Sequence, residues 1–153
     1  MATTVSTTTL NVVIKENLDL LNSKRGSKTV FEDTSVGEVS RRTVSVTHAT
    51  NGVVLMKFAS GAEAAGTYDT ATFKYLRITN LDSTVGLIIG LVESDNNHYA
   101  QFLVPAGKSF LLSSLVIDNN EDIDTFGSDT IDIINAKAAT GSSAINVEYV
   151  VVT

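Results

Sequence analysis

A chain of 153 residues that is 43% hydrophobic and 18% charged has enough apolar material for a buried core, and its composition is not that of a disordered polymer. Its net charge of −6 argues against nucleic acid as a partner. Phosphate affinity rests on gathered Lys and Arg, and the nearest thing to a basic run is the short Lys24-Arg25-Gly26-Ser27-Lys28 stretch. The absence of cysteine excludes disulfides, thiolate chemistry and Cys-based zinc sites, and no apolar run approaches the roughly 20 residues of a membrane helix, so no membrane partner is expected.

Thr, Ser and Val are abundant and proline occurs once, which favours pleated, half-buried surfaces over helices. Met1–Thr9 is a Thr/Ser tract without periodicity and reads as a flexible N-terminal arm. It has neither the basic start nor the apolar stretch of a signal peptide, so the expectation is a soluble protein made in the cytoplasm. Residues 10–153 read as one β-sandwich domain. Leu10–Leu21 begins with strand formers, and Asp19-Leu20-Leu21 also allows a helical turn. Asn22–Ser27 reads as a basic turn, Thr29–Glu32 as a weak strand and Asp33–Ser40 as a loop.

Arg41–Ala49 and Val53–Ala59 read as a hairpin. A two-residue Asn51-Gly52 turn would place Lys57 in an apolar face. A three-residue Thr50-Asn51-Gly52 loop pairs Val44 with Phe58, Val46 with Met56 and His48 with Val54, with Gly52 at the left-handed position. Ser60–Thr72 reads as a long loop whose Ala-rich middle allows a single helical turn. Three strands follow, Phe73–Thr79, Gly86–Glu93 and Asn97–Val104, and a Pro-Ala-Gly corner closes the set at Pro105–Gly107. The middle strand is apolar on both faces, as a strand covered on two sides should be. Ser109–Ile117 is a further strand with a break at Ser113-Ser114. Thr130–Ala138 and Ala144–Val152 close the chain, with Ile145, Val147, Tyr149 and Val151 on one face of the last strand. Eight to ten strands and no long helix predict an all-β, antiparallel sandwich of jelly-roll type.

Candidate chemistry is sparse. Asp118-x-Asn120-x-Asp122-x-Asp124, with Asp129 twelfth, spaces oxygen ligands as a calcium loop does. Ile123 stands where such a loop turns on Gly, and Asp129 is shorter than the usual bidentate Glu, so a solvated acidic loop is the plainer reading. His48 and His98 each lie beside a turn, where a lone imidazole is usually a hydrogen-bonded structural residue. Tyr68, Tyr75 and Tyr99 are the candidates for an aromatic glycan platform, although tryptophan is absent. No nucleophile elbow, phosphate-binding glycine loop or His-Glu-x-x-His occurs, so the reading is non-enzymatic, with no catalytic, cofactor-binding or metal-binding residues assigned.

The run Tyr75-Leu76-Arg77-Ile78-Thr79-Asn80-Leu81-Asp82 and the corner Pro105-Ala106-Gly107-Lys108-Ser109-Phe110 resemble small β-sandwich structural proteins of tailed bacteriophages, marine ones especially. The Arg41–Val46 strand and the polar arm fit the same pattern, over about two thirds of the chain. The resemblance implies a virion component without catalytic residues, of the kind that decorates and cements the capsid, often as a trimer, with the major capsid protein as partner. A tail, fibre or head-neck component is the alternative it also implies. A glycan-binding module is the reading outside the resemblance.

Overall fold

The computed structural model describes residues 8–21, 23–50, 52–61, 64–93, 99–118, 128–141 and 143–153. The described residues form thirteen strands and no helix. The chain divides into two compact units, Met1–Glu38 and Val39–Thr153. Residues 10–38, expected to belong to the sandwich, therefore fall in the first unit. Of the expected arm, Thr8 and Thr9 open the first strand, and the remainder lies outside the described residues.

The first unit is one antiparallel hairpin of β1 (Thr8–Leu20) and β2 (Ser23–Val36). Its register runs one to one from Leu10 opposite Asp33 to Leu20 opposite Ser23, with two residues of sequence between the strands. Leu21 adopts a left-handed φ of 45°, as such short loops demand. The basic turn expected over Asn22–Ser27 is thus mostly strand. Gly26 misleads because it is needed for close approach and not for turning: a Cβ there would sit 2.5 Å from the Glu16 carbonyl oxygen across the ladder.

The second unit is a two-sheet β-sandwich. One sheet has the order β5-β4-β12-β7-β8 and the other β3-β13-β6-β9. Their strands are β3 (Val39–Val46), β4 (Val53–Ala59), β5 (Thr67–Asp69), β6 (Tyr75–Asn80), β7 (Leu87–Val92), β8 (Tyr99–Val104), β9 (Ser109–Leu112), β12 (Ile133–Ala138) and β13 (Ile145–Val152). A separate pair, β10 (Val116–Asp118) and β11 (Ser128–Thr130), completes the set. The pairing is nested in sequence. β7 pairs with β8 innermost, then β6 with β9, β4 with β12, and β3 with β13 outermost, all antiparallel.

Alternation drives both inner faces. Leu76 and Ile78 of β6, Leu87 and Ile89 of β7, Ile134 of β12, and Val147, Tyr149 and Val151 of β13 are fully buried in one core. The outer residues of β7, Ile88 and Val92, are half-buried, as its two-faced apolar character foreshadows.

The expected Arg41–Ala49/Val53–Ala59 hairpin does not form. Val44 pairs with Val147 and Met56 with Ile134, so β3 and β4 lie in different sheets and the intervening chain crosses between them. The parity argument placed Val46, Met56 and Phe58 inward correctly, but inward-facing residues on two strands meet equally well across a sandwich as along a hairpin, and an irregularity in the β4–β12 register leaves Val54 exposed and buries Leu55 instead. Gly52 is left-handed as expected, at φ 67°, and its N–H donates to the Ala49 carbonyl at 3.1 Å. The loop expected over Ser60–Thr72 contains β5, which pairs with β4 in parallel and buries Tyr68. Its Ala-rich part is a turn in which the Thr67 N–H donates to the Ala64 carbonyl at 2.9 Å.

Candidate functional site

Among the described residues, those singled out from sequence do not converge. His48 follows β3 and its Nδ1 lies 2.7 Å from the Ala138 carbonyl oxygen, where a protonated Nδ1 donates, so this imidazole ties the crossing segment to the end of β12. His98 lies outside the described residues. So do Asn120, Asp122 and Asp124; Asp118 and Asp129 stand in β10 and β11 with backbones opposite Ser128 and Ile117. Among the described residues no group of three or more His, Asp or Glu is placed to hold a metal ion. Tyr68 is buried in the core, packed beside Phe58 with ring centroids 6.2 Å apart, whereas Tyr75 is half-buried on β6. A platform built on both is therefore not assembled, and the Tyr99 side chain is outside what the structure describes.

Three polar constructions were not foreseen. At the sandwich edge, the Tyr68 hydroxyl donates to Ser40 Oγ at 2.8 Å. Burial raises the Tyr149 phenol above its ordinary 10.0, the neighbouring Tyr68 adds to this, and Arg42 pulls the other way. These groups close the core with hydroxyls because an edge strand must satisfy what it buries.

The second construction lies on the outer face of the four-stranded sheet, where Glu148 of β13 takes an arginine from each neighbouring strand. Arg41 of β3 donates through Nε at 2.7 Å and Nη2 at 2.5 Å to Oε2, and Arg77 of β6 donates through Nη2 at 2.8 Å to Oε1. The Arg41 hydrogen bonds hold the carboxyl below its ordinary 4.5, desolvation opposes them, and Arg77 assists. The triad laces three strands together and leaves no free carboxylate for acid–base work.

The third unites the Tyr75–Asp82 run with the Pro105–Phe110 corner. Asn80, completely buried, donates from Nδ2 to the carbonyls of Val85 at 2.8 Å and Val104 at 3.3 Å, and its Oδ1 accepts from the Asp82 N–H at 3.1 Å. Its own N–H donates to the Lys108 carbonyl, while Lys108 N–H closes the Pro105 corner at 3.1 Å with Gly107 at φ 68°. Asp82 caps the next turn, accepting from Val85 N–H at 2.7 Å and Thr84 N–H at 2.8 Å, which lowers its pKa. Asn80 and Asp82 thus tie the β6–β7 connection to the Pro105 corner.

The β1–β2 hairpin exposes apolar side chains on both of its faces. Residues directly opposite in an antiparallel ladder share a face. One face therefore carries Leu10, Val12, Ile14 and Leu18 from β1, and Phe31 with Arg25 and Asp33 from β2. The other carries the Val13–Val30 pair, the Lys15–Lys28 pair and the Asp19–Lys24 pair. Ile14, Leu18 and Phe31 on the first face and Val13 and Val30 on the second are each 44–53% exposed. The apolar run is legible in the sequence as Val12-Val13-Ile14 and Val30-Phe31. Its exposure is not, because burial depends on what the rest of the chain covers.

No family model, curated protein or solved structure matches this chain.

Proposed function

We propose that this protein is a non-enzymatic structural component of a tailed-bacteriophage virion. In this reading it is a capsid decoration (cement) protein that self-associates and binds the major capsid protein of the assembled head. The observation that carries the reading is the exposed hairpin. A two-stranded ribbon is marginal alone in water, and one apolar on both faces calls for a partner. Two further features support it. The nested antiparallel pairing of β3 to β13 supports a jelly-roll reading of the sandwich, an architecture frequent in viral shells, which is a fold-level analogy. The Tyr75–Asp82 run and the Pro105–Phe110 corner carry the resemblance to phage sandwich proteins. Docking where capsid subunits meet stabilises the assembled shell by mass action.

The test is binding of the purified chain to intact, undecorated capsids, counted per particle. Saturation at a large number set by capsid symmetry supports decoration. A few copies at one vertex, or no binding, would overturn the decoration reading and move the assignment to a tail, fibre or head-neck component.

A further inference from the structure

The turn of the β1–β2 hairpin breaks the local rule for its own geometry. A short connection between antiparallel strands favours Asn, Asp or Gly at positive φ, because the Cβ of other residues crowds the following carbonyl there. Leu21 holds such a position at φ 45°, the one non-glycine residue with positive φ among the described residues, and it is 98% exposed. Burial within the chain does not offset the strain, so a contact outside the chain accounts for a leucine at the tip. Leu18, three residues back, is 53% exposed.

Charge gives the chemistry of that contact. The chain carries −6, yet residues 15–28 hold Lys15, Lys24, Arg25 and Lys28 against Glu16 and Asp19, a net +2 that leaves −8 on the remainder. On one face the register sets Lys15 opposite Lys28, then Asn17 opposite Gly26, then Asp19 opposite Lys24. Like charges directly opposed destabilise a ribbon, and both lysines of the pair are exposed. Asp19 balances one of the three lysines. Gly26 presents no side chain between the two charged rows, and around it lies a shallow recess of about 310 Å³ lined by Asn17, Leu18, Asp19, Lys24, Arg25 and Gly26. Successive rows on one face are about 6.8 Å apart, so an anionic group over Gly26 is within reach of the lysine pair on one side and Lys24 on the other.

We infer that the hairpin tip binds an acidic segment of a partner protein, with an apolar side chain of that segment on Leu18 and Leu21 and a carboxylate in the Gly26 recess. Magnitude favours a protein segment over an anionic membrane. Two exposed leucines and a few basic residues give a lipid surface only the marginal, reversible hold of a single acyl chain, and the −8 on the rest of the chain is repelled by the same surface. A short acidic segment brings its charge to the tip alone. The inference names the chemistry of the partner. It rests on the part of the proposed function that gives the hairpin a partner, and not on that partner being a capsid protein.

The experiment measures binding of the full chain, by fluorescence anisotropy, to labelled synthetic peptides graded from acidic through neutral to basic, each with and without an isoleucine or phenylalanine. Vesicles of phosphatidylserine and phosphatidylcholine are tested alongside. Acidic peptides that carry the apolar residue are expected to bind, and to release as salt is raised. Leu21→Asn is expected to weaken that binding about tenfold or more, the loss of one buried leucine, and Lys28→Gln about two- to fivefold. Both substitutions relieve the unbound hairpin, since Asn accepts the left-handed turn and Gln removes the like-charge pair. Amide hydrogen exchange in β1 and β2 is therefore expected to slow in both variants while binding falls, the opposite of what damage to the fold would produce. No preference for acidic peptides, undiminished binding by either variant, or exchange that does not slow would each overturn the proposal. Vesicle binding that exceeds peptide binding and is lost in Leu21→Asn would overturn it in favour of a lipid surface, and a solution mass that falls in Leu21→Asn would overturn it in favour of a second copy. Capsids are not the probe, so failure of the virion reading and failure of this inference are separately visible.

Discussion

Truncating Asn80 to Ala removes the groups that join the β6–β7 connection to the Pro105 corner. The Val85 and Val104 carbonyls lose their donor and the Asp82 N–H loses its acceptor. A buried polar group left unsatisfied costs about 1–3 kcal/mol, and the partial burial of the Val85 and Asp82 contacts allows water to recover some of that. Taking about 1 kcal/mol for each of the three, and about 1 kcal/mol for lost packing at a fully buried site, gives a loss of roughly 4 kcal/mol. Against a typical total of about 5–15 kcal/mol, this is readily measured as a fall in the urea midpoint at constant slope. The isosteric Asn80→Asp variant separates hydrogen bonding from packing. At neutral pH it presents a carboxylate oxygen to two carbonyl oxygens, so its folded pKa must lie above the unfolded value of about 3.9. The destabilisation is then small below that value and grows as pH rises towards the folded pKa. Asn80→Ala should show no such dependence beyond the wild type's. A loss below about 1 kcal/mol for Asn80→Ala, or an Asn80→Asp variant whose deficit does not change with pH, would refute the assignment of Asn80 as the polar hub of this corner.

Glu148 has its pKa lowered in the folded state by Arg41 first and Arg77 second, so its contribution is complete above its ordinary 4.5 and disappears as pH falls through the folded value. Glu148→Gln should therefore flatten the acid limb of a plot of urea midpoint against pH below about 4.5. The wild-type limb should weaken in high salt because Arg41 is 71% exposed. An unchanged limb in the glutamine variant would show that the triad does not stabilise the fold. Gly52→Ala forces a side chain into a left-handed φ of 67° and places its Cβ 2.8 Å from the Ala136 carbonyl oxygen. It should cost about 2 kcal/mol or more in thermal or urea unfolding, and a neutral outcome would mean the crossing between the sheets is set elsewhere.

Much of the strand content was legible because alternation is local. The faces of β6, β7 and β13 follow directly from the spacing of Leu76 and Ile78, of Leu87, Ile89 and Leu91, and of Ile145 through Val151. The break after β9 at Ser113-Ser114 and the left-handed glycine at position 52 were likewise local signals. The β5 strand was not, because three residues whose only ladder is a parallel one to β4 have no periodicity of their own.

Composition and spacing alone determined that this chain is all-β, which residues of β6, β7 and β13 face the core, and the corner at Pro105–Gly107, since each depends on neighbours within a few positions. Strand partners were decided only by the tertiary structure. The same parity permits β3 to pair with β4 or with β13, and the choice is made by which arrangement lets both sheets bury their inner faces at once. The same holds for the polar groups. Glu148 gains its arginines, and Asn80 its carbonyls, from residues as many as 107 positions away in sequence. The apolar character of the hairpin was written in Val12-Val13-Ile14 and Val30-Phe31, but only the folded chain shows Ile14, Phe31, Val13 and Val30 to be about half exposed.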